Sequence, residues 1–150
     1  MDQQQFKKDL KFGFANEYPT LQKINTKFKD TYKTKKQFDN FDYRNDTLKI
    51  DLELKTRRIY KGQYDTIFFG KNKLLKGRKR KAEGLTDRII YLFCFNKKKD
   101  KTKQVLYYWE DMGTDEDFKI TMCGNYKRGD KAKELVDLDI TKLKIFKDLL

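Results

Sequence analysis

Apolar and charged side chains alternate strictly through Leu48-Lys49-Ile50-Asp51-Leu52-Glu53-Leu54-Lys55, and Thr56-Arg57 closes the run. A period of two is the pleat of a β-strand. The four apolar residues therefore share one face, and Lys49, Asp51, Glu53 and Lys55 share the other. Charged groups on a strand of this kind are costly unless something pairs with them or binds to them. A metal ion and a phosphate group are two ligands that would use such a row.

With 150 residues, 37% of them hydrophobic and 15% aromatic, the chain is expected to form one domain, 1–150, with a real core. The longest apolar run, Ile89 to Phe95, is far too short to span a membrane. Met1-Asp2-Gln3-Gln4-Gln5 has no apolar signal region, so the expectation is a soluble, intracellular protein without a membrane partner. Cys94 and Cys123 are the only cysteines and histidine is absent. Zinc lacks soft ligands here, and no Ser-His-Asp or Cys-His nucleophile can be assembled. Any catalysis must rest on carboxylates, lysine, tyrosine or an oxygen-bound metal. A net charge of +13 points to a polyanionic partner, nucleic acid first and an anionic membrane second.

Asn16 reads as a helix cap, with Leu21, Ile24 and Phe28 at helical spacing over 17–28, and Phe6, Leu10 and Phe14 suggest an earlier helix over 3–14. Short strands are expected at 31–35 and 38–44, with a tight turn at Asn45-Asp46 leading into the alternating strand. Residues 58–69 read as a loop, and Lys71 to Glu83 as a basic helix closed by Gly84. Arg88–Asn96 and 105–110 read as a hairpin of buried strands, followed by a strand at 118–122 and a basic irregular stretch over 124–133. A closing helix is expected over 140–149. The class is α/β or α+β.

Glu53-Leu54-Lys55 has the form acid, any residue, lysine. Three such triplets occur, at 9–11, 53–55 and 117–119, which is no more than chance provides. Only the middle one lies on a long alternating strand with an acid, Asp42, one hairpin upstream. Asp42 followed by Glu53-Leu54-Lys55 resembles the PD-(D/E)XK superfamily of restriction-endonuclease-like nucleases, with Phe41-Asp42 where the name has Pro-Asp. Phe12 to Glu17 followed by Leu21, Ile24 and Phe28 looks like the first helix of small viral and phage members. Tyr64-Asp65-Thr66, Gly70-Lys71-Asn72-Lys73, Tyr91 to Phe95 and Leu106 to Trp109 are similar in order to theirs. The resemblance covers roughly residues 10–110.

The resemblance implies an αβββαβ core with a mixed central sheet flanked by helices, extended here by a C-terminal hairpin and helix. It implies hydrolysis of phosphodiester bonds with Mg²⁺ or Mn²⁺, by a DNA endonuclease or a junction resolvase acting as a homodimer. Asp42 and Glu53, with the Leu54 backbone carbonyl, would hold the metal. Lys55 would orient the attacking water, and Glu17 would add an acid. Arg57, Arg58, Lys71, Lys73, Lys76 and Arg78 would grip phosphates. Such a protein would be virus-encoded, acting in the host cytoplasm or packaged in the virion. Two other classes fit a basic chain: a nucleic-acid-binding module without chemistry, and a basic structural or packaging protein of a virus. Asp51 reads as a solvated or supporting acid, and Tyr107, Tyr108 and Trp109 as packing residues before base-stacking ones.

Overall fold

The computed structural model describes residues 16–35, 41–123 and 133–149. Its organising strand is Arg88–Asn96 (β5), whose uninterrupted apolar run has to be covered on both faces. Ile90, Leu92 and Cys94 enter one apolar cluster, while Ile89, Tyr91, Phe93 and Phe95 enter another. Three layers follow from that division: a central sheet with a cover on each side.

The central sheet is α+β in character and mixed. Tyr32–Lys33 (β1), Tyr43–Asn45 (β2), Ile50–Arg57 (β3), β5, Gln104–Glu110 (β6) and Lys144–Ile145 (β9) lie side by side in that order. Every neighbouring pair is antiparallel except β3 and β5, which run parallel with Glu53 beside Tyr91 and Lys55 beside Phe93. A parallel pair needs a crossover. Thr66–Gly70 (β4) and the helix Lys71–Ala82 (α2) provide it.

One face of the sheet is covered by the helix over 16–25 (α1) and by the C-terminal segment. Ile24, Phe28, Phe146 and Leu149 pack there on Ile50, Leu52 and Leu54 of β3. The other face carries α2 and a small antiparallel sheet, β4 beside Lys133–Asp139 (β8) beside Phe118–Cys123 (β7). A run of aromatic contacts joins these two layers. Phe69 stacks on Tyr91 at 4.5 Å, Tyr91 meets Trp109 at 5.6 Å, and Trp109 meets Phe118 edge-on at 5.9 Å. Each such pair contributes about 0.5–1.5 kcal/mol beyond its area. Tyr108 and Trp109 are buried, as packing residues should be.

Several expectations need correction. The alternating strand begins at Ile50, because residues 46–49 form a longer turn and Leu48 is exposed. Lys49 takes a positive φ of 54° in that turn. Its carbonyl then accepts from the Asp87 and Arg88 amides and the Thr86 hydroxyl, which sets β5 beside β3. The expected loop at 58–69 contains most of β4. The closing helix over 140–149 is instead two short 3₁₀ turns, Ile140–Lys142 and Phe146–Asp148, around β9. Strand β8 went unforeseen. The helix over 3–14, residues 38–40 of the second strand and the basic stretch 124–132 lie outside the described residues. Among the described residues no helix is long and apolar enough to cross a membrane.

Helix α2 lies close to the sheet because position 77 has no side chain. A Cβ on Gly77 would stand 3.0 and 3.1 Å from two Ile89 carbons and 3.2 Å from Phe41. Gly77→Leu should therefore lift α2 and destabilise the fold by about 1–3 kcal/mol, read as a lower urea midpoint. An unchanged midpoint would mean that the helix does not pack this tightly.

Candidate functional site

Both faces of β3 are buried in its first half. The charged row therefore faces protein, and its two acids meet opposite fates. Asp51, 2% exposed, is fully compensated. Arg44 of β2 reaches one carboxylate oxygen at 3.1 Å, and Arg80 of α2 donates to the other at 2.7 Å. Asp51 is neither solvated nor available; it is the centre of an ion triad joining β2, β3 and α2.

Glu53, 4% exposed, has weaker support. The ammonium groups of Lys55 and Lys73 each stand 3.6 Å from its Oε1, ion-pair range without a close hydrogen bond. Its Oε2 is buried with no hydrogen-bond partner. Burial first, and then the charge of Asp42, push the Glu53 carboxyl up from 4.5 to about 7, against the opposing pull of Lys55 and Lys73. The residue is thus poised to change charge near neutrality.

Asp42 arrives from the neighbouring strand. Tyr43 pairs with Leu52, so the next residues outward are Asp42 and Glu53. The Leu54 amide donates to Asp42 Oδ2 at 2.8 Å, and the Asp42 carbonyl accepts from the Thr34 amide at 2.9 Å. Glu17, buried in the first turn of α1, pairs with Lys33 at 2.5 Å. The Tyr43 hydroxyl donates to the Glu17 carbonyl at 2.6 Å. Glu17 holds the Lys33 ammonium above its ordinary value, with smaller support from Tyr18 and Asp42. Glu17, Lys33, Asp42 and Glu53 are therefore linked in one electrostatic neighbourhood. Among the described residues no three of His, Cys, Asp and Glu form a metal-holding group. Asp42 and Glu53 are a carboxylate pair, which backbone oxygen and water would have to complete.

The basic residues divide. Lys73 belongs to the Glu53 site, and it is steadied from below by the Tyr91 hydroxyl, which donates to the Lys73 carbonyl at 3.1 Å. Lys71 pairs with Glu134 at 2.9 Å, and Lys76 is exposed on α2. Arg58 is exposed, while half-buried Arg57 donates to the carbonyls of Thr56 and Phe68. Arg78 is spent inside the fold. It donates to both oxygens of buried Asp111, at 2.9 and 3.0 Å, and to Asp115 at 2.7 Å. A cleft of about 610 Å³ opens beside Lys55 and the start of α2 and is walled on the far side by Lys133, Glu134 and Leu135.

Comparison with protein-family models, curated proteins and solved structures gives no match to this chain.

Sequence reasoning missed the cations that separate Asp51 from Glu53. One signal was present: Lys73, Gly77 and Arg80 are four and three residues apart, one stripe of a helix with a glycine at its centre. Lys133 and Glu134 carried no signal, because β8 itself was not foreseen.

The two acids should respond oppositely to neutralisation. Asp51→Asn leaves two half-buried guanidinium groups undercompensated and should cost about 2–4 kcal/mol. Glu53→Gln should be neutral or stabilising at pH 8. The folded carboxyl of Glu53 titrates higher than an unfolded one, so its contribution to stability is complete below about pH 4.5 and is lost as pH rises through about 7. Urea denaturation at pH 5 and pH 8 should show that loss in the parent and not in Glu53→Gln. Equal losses in both proteins would refute the assignment.

Proposed function

We propose that the protein is a metal-dependent nuclease that hydrolyses phosphodiester bonds, DNA before RNA, with Asp42, Glu53 and Lys55 at its centre. The observation that carries this reading is the undercompensated carboxylate of Glu53, set beside Asp42 and between two lysines, at the edge of a lysine-lined cleft. Burying such a group costs stability, and the fold supplies two arginines to Asp51 but not to Glu53. The order α1, β1, β2, β3, α2, β5 supports an αβββαβ core, with β4 inserted before α2. The resemblance of Asp42 and Glu53-Leu54-Lys55 to the PD-(D/E)XK nucleases supports it further.

The donors suit a hard divalent cation. Glu53 Oε2 lacks a partner, and Asp42 has committed one oxygen to the Leu54 amide. Mg²⁺ or Mn²⁺, when bound, would supply an activated water and positive charge against the phosphorane. Asp42 and Glu53 would hold the cation, with the Leu54 carbonyl as a further oxygen. Lys55, fixed on the same face of β3, would orient the water. Lys73 would neutralise charge on the phosphate. Glu17 and Lys33 would position Asp42 from the α1 side.

Supercoiled plasmid and labelled oligonucleotides with Mg²⁺ or Mn²⁺ test the reading. Lys55→Ala and Asp42→Asn should each lower the cleavage rate by about 100-fold or more while the fold is retained. The rate should climb with pH through about 7, because Glu53 has to be ionised to accept a cation. Equal cleavage by the parent and Lys55→Ala would sink the assignment. Salt-sensitive binding without cleavage under either metal would assign a binding module instead.

A further inference from the structure

We propose that the cleft at the start of α2 receives the terminal phosphate monoester of a nucleic-acid strand, so that the site is directed to strand ends. This rests on the reading of Asp42, Glu53 and Lys55 as a nuclease centre, and it names that centre's substrate class.

Four lysines, Lys55, Lys71, Lys73 and Lys133, line the cleft against one carboxylate, Glu134, which is occupied by Lys71 at 2.9 Å. With Glu53, which Lys55 and Lys73 share, the surplus around this one space of about 610 Å³ is two positive charges when Glu53 is ionised and three when it is protonated. The first turn of α2 contains no acid, and Gly70 provides no side-chain cap. The positive end of the helix dipole therefore adds to the lysines instead of being offset. An acid in this turn would be the ordinary way to relieve such repulsion. Its place is taken by two lysines, an arrangement that an incoming anion relieves.

Among the described residues, Lys76, Lys79 and Lys81 of α2 are exposed but do not line the cleft. Beyond Lys73 the strongest basic groups of α2 turn inward, Arg78 to Asp111 and Arg80 to Asp51. A groove for an internal stretch of backbone needs cations spread along successive phosphates, each of which carries one charge. Here the charge converges on one point. A monoester, with a charge of roughly −1.5 to −2 at neutral pH and three acceptor oxygens, matches converging cations better than a diester does. Lys55 and Lys73 both line the cleft and hold Glu53, whose Oε2 is buried without a partner. A terminal phosphate held there places the adjoining diester bonds beside the carboxylate pair.

The test uses fluorescein-labelled single-stranded oligonucleotides of one sequence carrying a 5′-phosphate, a 3′-phosphate or hydroxyls at both ends. Binding is followed by anisotropy without divalent metal. One phosphorylated end should bind about tenfold more tightly than the hydroxyl-ended strand, a difference that Lys133→Ala and Lys71→Ala reduce without lowering the urea midpoint. Equal affinity for all three strands overturns the proposal in favour of an internal backbone groove. So does inorganic phosphate displacing the phosphorylated strand as effectively as a second phosphorylated strand, which would mark a site for free phosphate. Cleavage of the same strands is scored separately. End preference without cleavage upholds the cleft and refutes the nuclease; cleavage without end preference does the reverse.

Discussion

Burying a carboxylate is costly unless cations replace the water it has lost, and the clamp of Arg44 and Arg80 on Asp51 supplies them at the heart of the protein. The clamp ties β2, β3 and α2 into one body. It reaches across only because Gly77 lets α2 lie against Ile89 and Phe41. Once α2 is set at that height and rotation, Lys73 comes down over Glu53, and the start of the helix forms one wall of the cleft. The candidate site is therefore a consequence of a structural ion triad two residues earlier on the same strand.

Along β3 compensation falls away in steps. Asp51 has two guanidinium groups in close contact. Glu53 has two more distant ammonium groups and an unpartnered oxygen, and Lys55 opens onto the cleft. The strand passes from full compensation to an open cleft within five residues. Holding Glu53 in a state that resists ionisation costs stability near neutral pH, and the extensive aromatic packing of Phe69, Tyr91, Trp109 and Phe118 helps the fold to carry that cost.

Much of this was legible in the sequence, for identifiable reasons. Arg88–Asn96 was readable to its ends because turn-forming polar stretches bound it. Helix α2 was readable from its basic run and from Gly84, which takes a φ of 76° just beyond the helix end. Asp42, Glu53 and Lys55 were brought together as expected, because a hairpin register places Asp42 next to Glu53. Strand β4 was hidden by the loop-like residues before it. The final segment looked helical, yet its buried residues Leu143, Phe146 and Leu149 repeat every three residues, a spacing suited to 3₁₀ turns. The different fates of Asp51 and Glu53 were not legible at all. Alternation gives both the same face, and the cations that separate them come from another strand and from a helix some twenty to thirty residues away.

The most direct test of this division is the titration of the Glu53 carboxyl carbon, followed by NMR in labelled protein without divalent metal. A midpoint near pH 7 is the expected result, set by burial and by Asp42 against the pull of Lys55 and Lys73. A midpoint near the ordinary 4.5 would mean that Glu53 is as well compensated as Asp51 and has no special place in the protein.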